Sequence, residues 1–147
     1  MVLLLLGCSR WGKIEPGKIE QRIGERVNGC NAQAPCIIKI KDVTDFQWDQ
    51  MHVFEYNATR DEIQKSLGTD FPDYTEFTRR IVFLNDRTII YREDEPTDIE
   101  RAVNGQVSFG PESYTHPHSS YTPETALFRA EKKTFGGGVY YVLTQVK

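Results

Sequence analysis

The sequence predicts an α+β domain, an antiparallel β-sheet with an N-terminal amphipathic helix and a second short helix packed on one face. Three observations carry that expectation. Ile19, Ile23 and Val27 recur every fourth residue near the start, which places them on one helical face. Thr59 and Glu62 form a T-x-x-E capping box ahead of Ile63 and Leu67, with Gly68 as the stop. Downstream the apolar period changes to two, with tight-turn residues between the runs. Helices first and antiparallel strands later is the pattern of an α+β domain.

In chain order, Pro16 and Gly17 precede the first periodic segment. Ile19, Ile23, Val27 and Cys30 share its apolar face, while Lys18, Glu20, Gln21, Arg22, Glu25 and Arg26 supply the wet one. Gly29 closes the helix. A strand is expected over Ile37 to Val43. In the aromatic stretch DFQWDQMHVFEY, residues 45–56, alternation puts His52, Phe54 and Tyr56 on one side and Met51, Val53 and Glu55 on the other. RRIVFLN and RTIIYRED flank Asn85-Asp86 as a tight hairpin whose turn needs positive φ. A turn of helix is expected around Asp98-Ile99-Glu100, and GQVSF reads as a strand. GPESYTHPHSSYTPE, residues 110–124, is the most loop-like stretch. TALFRAEK and VYYVLTQV make a last hairpin around Phe135-Gly136-Gly137-Gly138.

At 147 residues, with 39% hydrophobic and 27% charged residues, the chain has the size and composition of one folded domain. Its formal net charge of −3 and the lack of a basic run argue against nucleic acid as a partner.

The chain opens MVLLLLGCSR. This apolar block is too short to span a bilayer, which takes about 20 residues. Leu5-Leu6-Gly7-Cys8 resembles a bacterial lipobox, cut immediately before the cysteine. The resemblance implies that residues 1–7 are a signal-peptide remnant and that Cys8 carries diacylglycerol. Residues 8–17 are then a lipidated tether and residues 18–147 a single α+β domain. The basic n-region of an export signal is missing, which points to a true start further upstream. The competing reading is a cytosolic chain with a Leu-rich first strand and an ordinary thiol at Cys8. Ser9, rather than Asp, after the cysteine resembles lipoproteins sorted to the outer membrane of a Gram-negative host, facing the periplasm.

Cys30 and Cys36, the other cysteines, enclose NAQAP. In an oxidising periplasm they are expected to form a structural disulfide, since a C-x-x-C redox spacing and further zinc ligands are both lacking.

Candidates for chemistry are few. His116-Pro117-His118 offers two imidazoles in a Ser/Thr/Pro loop with no third ligand nearby, so solvated side chains are favoured over a metal site. His52 reads as a packed residue with one hydrogen bond rather than a general base. There is no G-x-S-x-G elbow. Glu93-Asp94-Glu95 reads as a solvated turn, and the glycines at 136–138 as a hairpin turn rather than a phosphate loop. Phe46, Trp48 and Asp49 form the candidate contact patch, because aromatic side chains are enriched at binding hot spots. The favoured alternative is that both rings cap the core while Asp49 accepts backbone N–H bonds in a turn.

The stretch D-F-x-W-D-x-x-x-V-F-x-Y, followed by T-x-x-E-I-x-x-x-L-G, resembles a group of small uncharacterised bacterial proteins, many of them lipoprotein-like. The resemblance covers residues 42–68. The T-x-x-E-I-x-x-x-L-G portion is also similar to outer-membrane-assembly lipoproteins of the SmpA/OmlA type and to β-lactamase-inhibitor-like domains. Neither resemblance brings a catalytic residue, a metal or a cofactor. The expected function is a non-enzymatic, lipid-anchored envelope protein that binds or assembles protein partners. An immunity lipoprotein neutralising a toxin is the alternative, and a small periplasmic enzyme is the least favoured.

Overall fold

The computed structural model describes residues 15–96, 104–110 and 117–147. Its order is α1 (Lys18–Asn28), β1 (Cys36–Lys39), β2 (Gln50–Phe54), α2 (Arg60–Leu67), β3 (Thr78–Asn85), β4 (Thr88–Pro96), β5 (Gln106–Phe109), β6 (His118–Tyr121), β7 (Leu127–Phe135) and β8 (Gly138–Gln145). The α+β class is as the periodicity predicts. The strands divide into two sheets, ordered β4-β3-β2-β6 and β1-β7-β8-β5. All pairings are antiparallel except β5 with β8.

The first sheet is covered on both faces. Met51, Val53, Ile81 and Phe83 point into the main core with α1 and the second sheet. Phe54, Val82 and Leu84 point the other way, into a smaller core with Ile63 and Leu67 of α2 and with Phe71. The two helices therefore serve separate cores. The signal is in β3 itself, where Ile81-Val82-Phe83-Leu84 is a continuous apolar run, as two-sided burial requires.

Local chemistry fixes the boundaries. At α2, the Glu62 amide donates to Thr59 Oγ1 at 3.3 Å and the Thr59 amide to Glu62 Oε2 at 2.7 Å. Gly68 ends the helix at φ 69°, a left-handed conformation that glycine adopts without penalty. Along α1, Ile19, Ile23 and Val27 are buried as predicted, and Gly29 is the C-cap. Gly24 lies under the Tyr141 ring, whose Cε2 would stand 2.9 Å from an added Cβ. The last hairpin turns through Gly136 and Gly137 at φ 56° and 79°, and β5 is the strand expected in GQVSF.

Several expectations are corrected. The strand at Ile37 stops at Lys39, and residues Ile40–Asp42 form a short 3-10 turn. The first hairpin turns at Asp86 and Arg87, both with positive φ, one residue later than Asn85-Asp86. β2 ends at Phe54, so Tyr56 is not on its face. His118–Tyr121 of the loop-like stretch is strand β6, paired with β2. Glu20 is buried rather than solvated. Glu93-Asp94-Glu95 is the end of β4, with Glu93 and Glu95 buried. The helical turn expected at Asp98-Ile99-Glu100 lies outside the described residues. Among the described residues, no helix is long and apolar enough to cross a membrane.

Candidate functional site

The candidate contact patch is built into the core. Phe46 stacks on Tyr91 at 5.0 Å and meets Phe83 edge-on at 5.2 Å; Trp48 meets Phe83 edge-on at 5.2 Å. Trp48 is only 7% exposed, and its Nε1 donates to Thr44 Oγ1 at 3.0 Å. Asp49 Oδ2 accepts the Asp86 amide at 2.9 Å, which ties this segment to the β3–β4 turn. The two rings cap the core, and Asp49 serves a turn.

The structure unites two histidines that the sequence separates by 66 positions. His52 is buried on β2, His118 half-buried on β6, and His52 Nδ1 lies 2.8 Å from His118 Nε2. His52 Nε2 lies 3.1 Å from Gln50 Oε1, so His52 makes two hydrogen bonds where one was expected. The Phe54 ring stacks against His118 at 4.6 Å. Burial, then the neighbouring His118, pushes the His52 pKa down to about 4; burial also lowers His118. Both ring nitrogens of His52 are engaged within the protein, which leaves it none to offer a substrate. His116 lies outside the described residues. Among the described residues, no group of three or more His, Cys, Asp or Glu is placed to hold a metal ion.

The second constellation lies where the N-terminus of α1 meets the end of β4. The first amides of a helix lack intrahelical partners and carry partial positive charge. Glu95 Oε1 accepts the Gly17 amide at 2.7 Å, and Glu93 Oε1 accepts the Ile19 amide at 2.5 Å and the Tyr91 hydroxyl at 2.7 Å. Arg79, buried on β3, donates to Glu95 Oε2 at 2.7 Å, to Glu20 and to the Val107 carbonyl. Burial raises the Glu20 pKa well above the usual carboxylate range, against the pull of Arg79. Burial also raises Glu93, opposed by the Ile19 amide and the Tyr91 hydroxyl. One arginine thus faces two buried carboxyl groups, Glu20 and Glu95. The signal was available: period two along β4 places Tyr91, Glu93 and Glu95 on one face.

Cys30 and Cys36 are joined in a disulfide with Cα atoms 5.6 Å apart, pinning the end of α1 to the start of β1. Cys8 lies outside the described residues. Between α1 and residues 37–45 runs an open groove of about 680 Å³. Both of its arginines are already partnered, Arg22 with Asp45 at 3.1 Å and Arg26 with the Asp42 carbonyl at 3.3 Å. Neither a family model, nor a curated protein, nor a solved structure matches this chain at a significant level.

Proposed function

We propose that the protein is a lipid-anchored component of the bacterial envelope, held by lipid on Cys8 at the outer membrane and facing the periplasm. There it acts as a non-enzymatic module that binds or assembles envelope proteins. The observation that carries this reading is the Cys30–Cys36 disulfide. Such a bond persists in oxidising compartments. Of the three cysteines it uses two, leaving Cys8 of the lipobox as the remaining thiol.

Binding rather than chemistry is supported by what the titratable groups do. His52 and His118 satisfy each other, and Glu93 and Glu95 hold α1. These are structural occupations. Stable anchoring needs more than one acyl chain, which a fully processed lipoprotein N-terminus supplies.

The test is the mass of the mature N-terminus of the protein purified from its native host. The expected product begins at Cys8 with diacylglycerol on its sulfur and fractionates with membranes. An intact Met1, or a free Cys8 thiol in the soluble fraction, would overturn the proposal.

A further inference from the structure

The two most exposed large apolar side chains among the described residues are Phe135, 71% exposed, and Phe77, 63% exposed. Both stand on elements that meet at Pro16 and Gly17, where the chain from Cys8 joins the fold. Phe135 is at the tip of the β7–β8 hairpin. On the β8 arm Val139, paired with Thr134, accepts the Gly105 amide at 2.7 Å. Pro16 Cγ lies against Gly105, 3.1 Å from where a Cβ would stand. Phe77 immediately precedes Thr78, which pairs with Pro96, next to Glu95. Glu95 in turn holds the Gly17 amide at 2.7 Å.

Phe77 also has a left-handed backbone, φ 52°, a conformation that is a genuine outlier for so bulky a residue. Phe135 precedes Gly136 and Gly137, and its ring is left in solvent at the end of a turn. Scattered single apolar side chains need no explanation. Two phenylalanines at the place where a lipid tether arrives do.

We infer that this end of the fold docks on the bilayer surface, with Phe77 and Phe135 entering the headgroup region. The inference rests on the lipid-anchor reading. Pro16 is eight positions beyond Cys8, a stretch of chain that spans at most about 28 Å when fully extended. An acylated Cys8 therefore keeps Pro16 close to the hydrocarbon boundary and gives the hairpin a high effective concentration there. Aromatic side chains sit favourably at that depth. Charge contributes little, because the exposed Lys18 and Lys133 are offset by Glu15, Glu76 and Glu131. Neutral phosphatidylcholine vesicles are accordingly the probe.

The full chain, with Cys30–Cys36 oxidised, is coupled through Cys8 to a maleimide phospholipid in those vesicles. Docking is then read whether or not a cell acylates Cys8, and the two readings fail separately. In a W11F background, which leaves the buried Trp48, the variants F135W, F77W and Q145W each add one fluorophore. Gln145 is exposed at the far end of β8. Vesicles with brominated acyl chains should cut the added emission of F135W and F77W at least twofold and leave Q145W unchanged. Unquenched emission at either phenylalanine position would overturn the inference, as expected if a protein partner covers that position instead. Equal quenching of Q145W would overturn it as well, by showing adsorption without orientation.

Discussion

Ile19 donates its backbone amide to Glu93 Oε1 at 2.5 Å, across 74 positions of sequence. The first turn of α1 has no side-chain cap of its own, since Gly17 occupies the N-cap. Carboxylates from β4 supply the missing acceptors. Replacing a capping side chain costs about 0.5–2 kcal/mol, and burial of the orphaned amide adds to that.

Gly17→Ala and Glu93→Ala should therefore share a consequence. A Cβ on Gly17 would stand 2.0 Å from Glu93 Oε2, so Gly17→Ala must push that carboxylate aside. Each single variant should lose about 1–3 kcal/mol in urea denaturation. The double variant should lose clearly less than their sum, because both changes break the same contact. Additive losses would mean that Gly17 and Glu93 act independently.

Arg79 and Glu20 make a second, asymmetric pair. Burial raises the Glu20 pKa, and Glu20→Gln keeps an acceptor for Arg79 while removing the buried ionisable group, so it should leave stability within about 1 kcal/mol of the parent near neutral pH. Arg79→Met leaves Glu95 without its cation and should cost about 3–5 kcal/mol. The sign with pH follows from the raised Glu20 value. The folded state holds the Glu20 proton more tightly than the unfolded chain, so its stabilising contribution is full below the ordinary value of about 4.5. It is lost as pH rises through the folded value. Thermal midpoints at pH 6 and pH 9 should show Glu20→Gln gaining on the parent at the higher pH. A variant that instead falls behind at pH 9 would refute the upward shift.

The histidine pair has the opposite slope. His52 is held near a pKa of about 4 by burial and by His118, against about 6.5 in an unfolded chain. On acidification the unfolded state takes up the proton first. The contribution of His52 is thus full above about pH 6.5 and is lost as pH falls toward 4. Raised carboxyl groups at Glu20, Glu55 and Glu93 act in the other direction, so the diagnostic is a difference between proteins. His52→Phe keeps an aromatic ring beside Phe54 and removes the titration. Its urea midpoint should drop less between pH 7 and pH 5 than that of the parent. Equal drops would assign the pH dependence elsewhere.

Much of this architecture is legible in the residues, and the losses have physical causes. The capping box at Thr59, the α1 stripe and both hairpins come from local chemistry, which neighbouring residues determine. Glu20 and Glu93 read as solvated in the sequence because carboxylates are rarely buried unless paired. Their partners, Arg79 and the Ile19 amide, lie 59 and 74 positions away. The first sheet gains its fourth strand because β6 joins β2 rather than remaining loop. That pairing is made by a four-residue strand whose Ser and His composition carries little β signal. The aromatic block at Phe46 and Trp48 was readable only as two alternatives, since core caps and contact patches draw on the same residue types.

The disulfide closes the account of α1 at its other end. Cys30 and Cys36 are six positions apart, and closing so small a loop is worth about 2 kcal/mol on the chain-entropy account. The bond ties the end of α1 to the edge strand β1, opposite the carboxylates that hold its beginning. The oxidised full chain should show no thiol at either position under denaturing, non-reducing conditions. Reduction should lower the unfolding free energy by about 2 kcal/mol, and the paired substitution Cys30→Ser with Cys36→Ser should reproduce that loss. Because β1 is also held by β7, from Cys36↔Ala130 to Lys39↔Leu127, the reduced protein should stay folded. Circular dichroism in the strand region should therefore be nearly unchanged at 25 °C. Global unfolding on reduction would mean that the bond, rather than packing of Ile19, Ile23 and Val27, holds the helix in place.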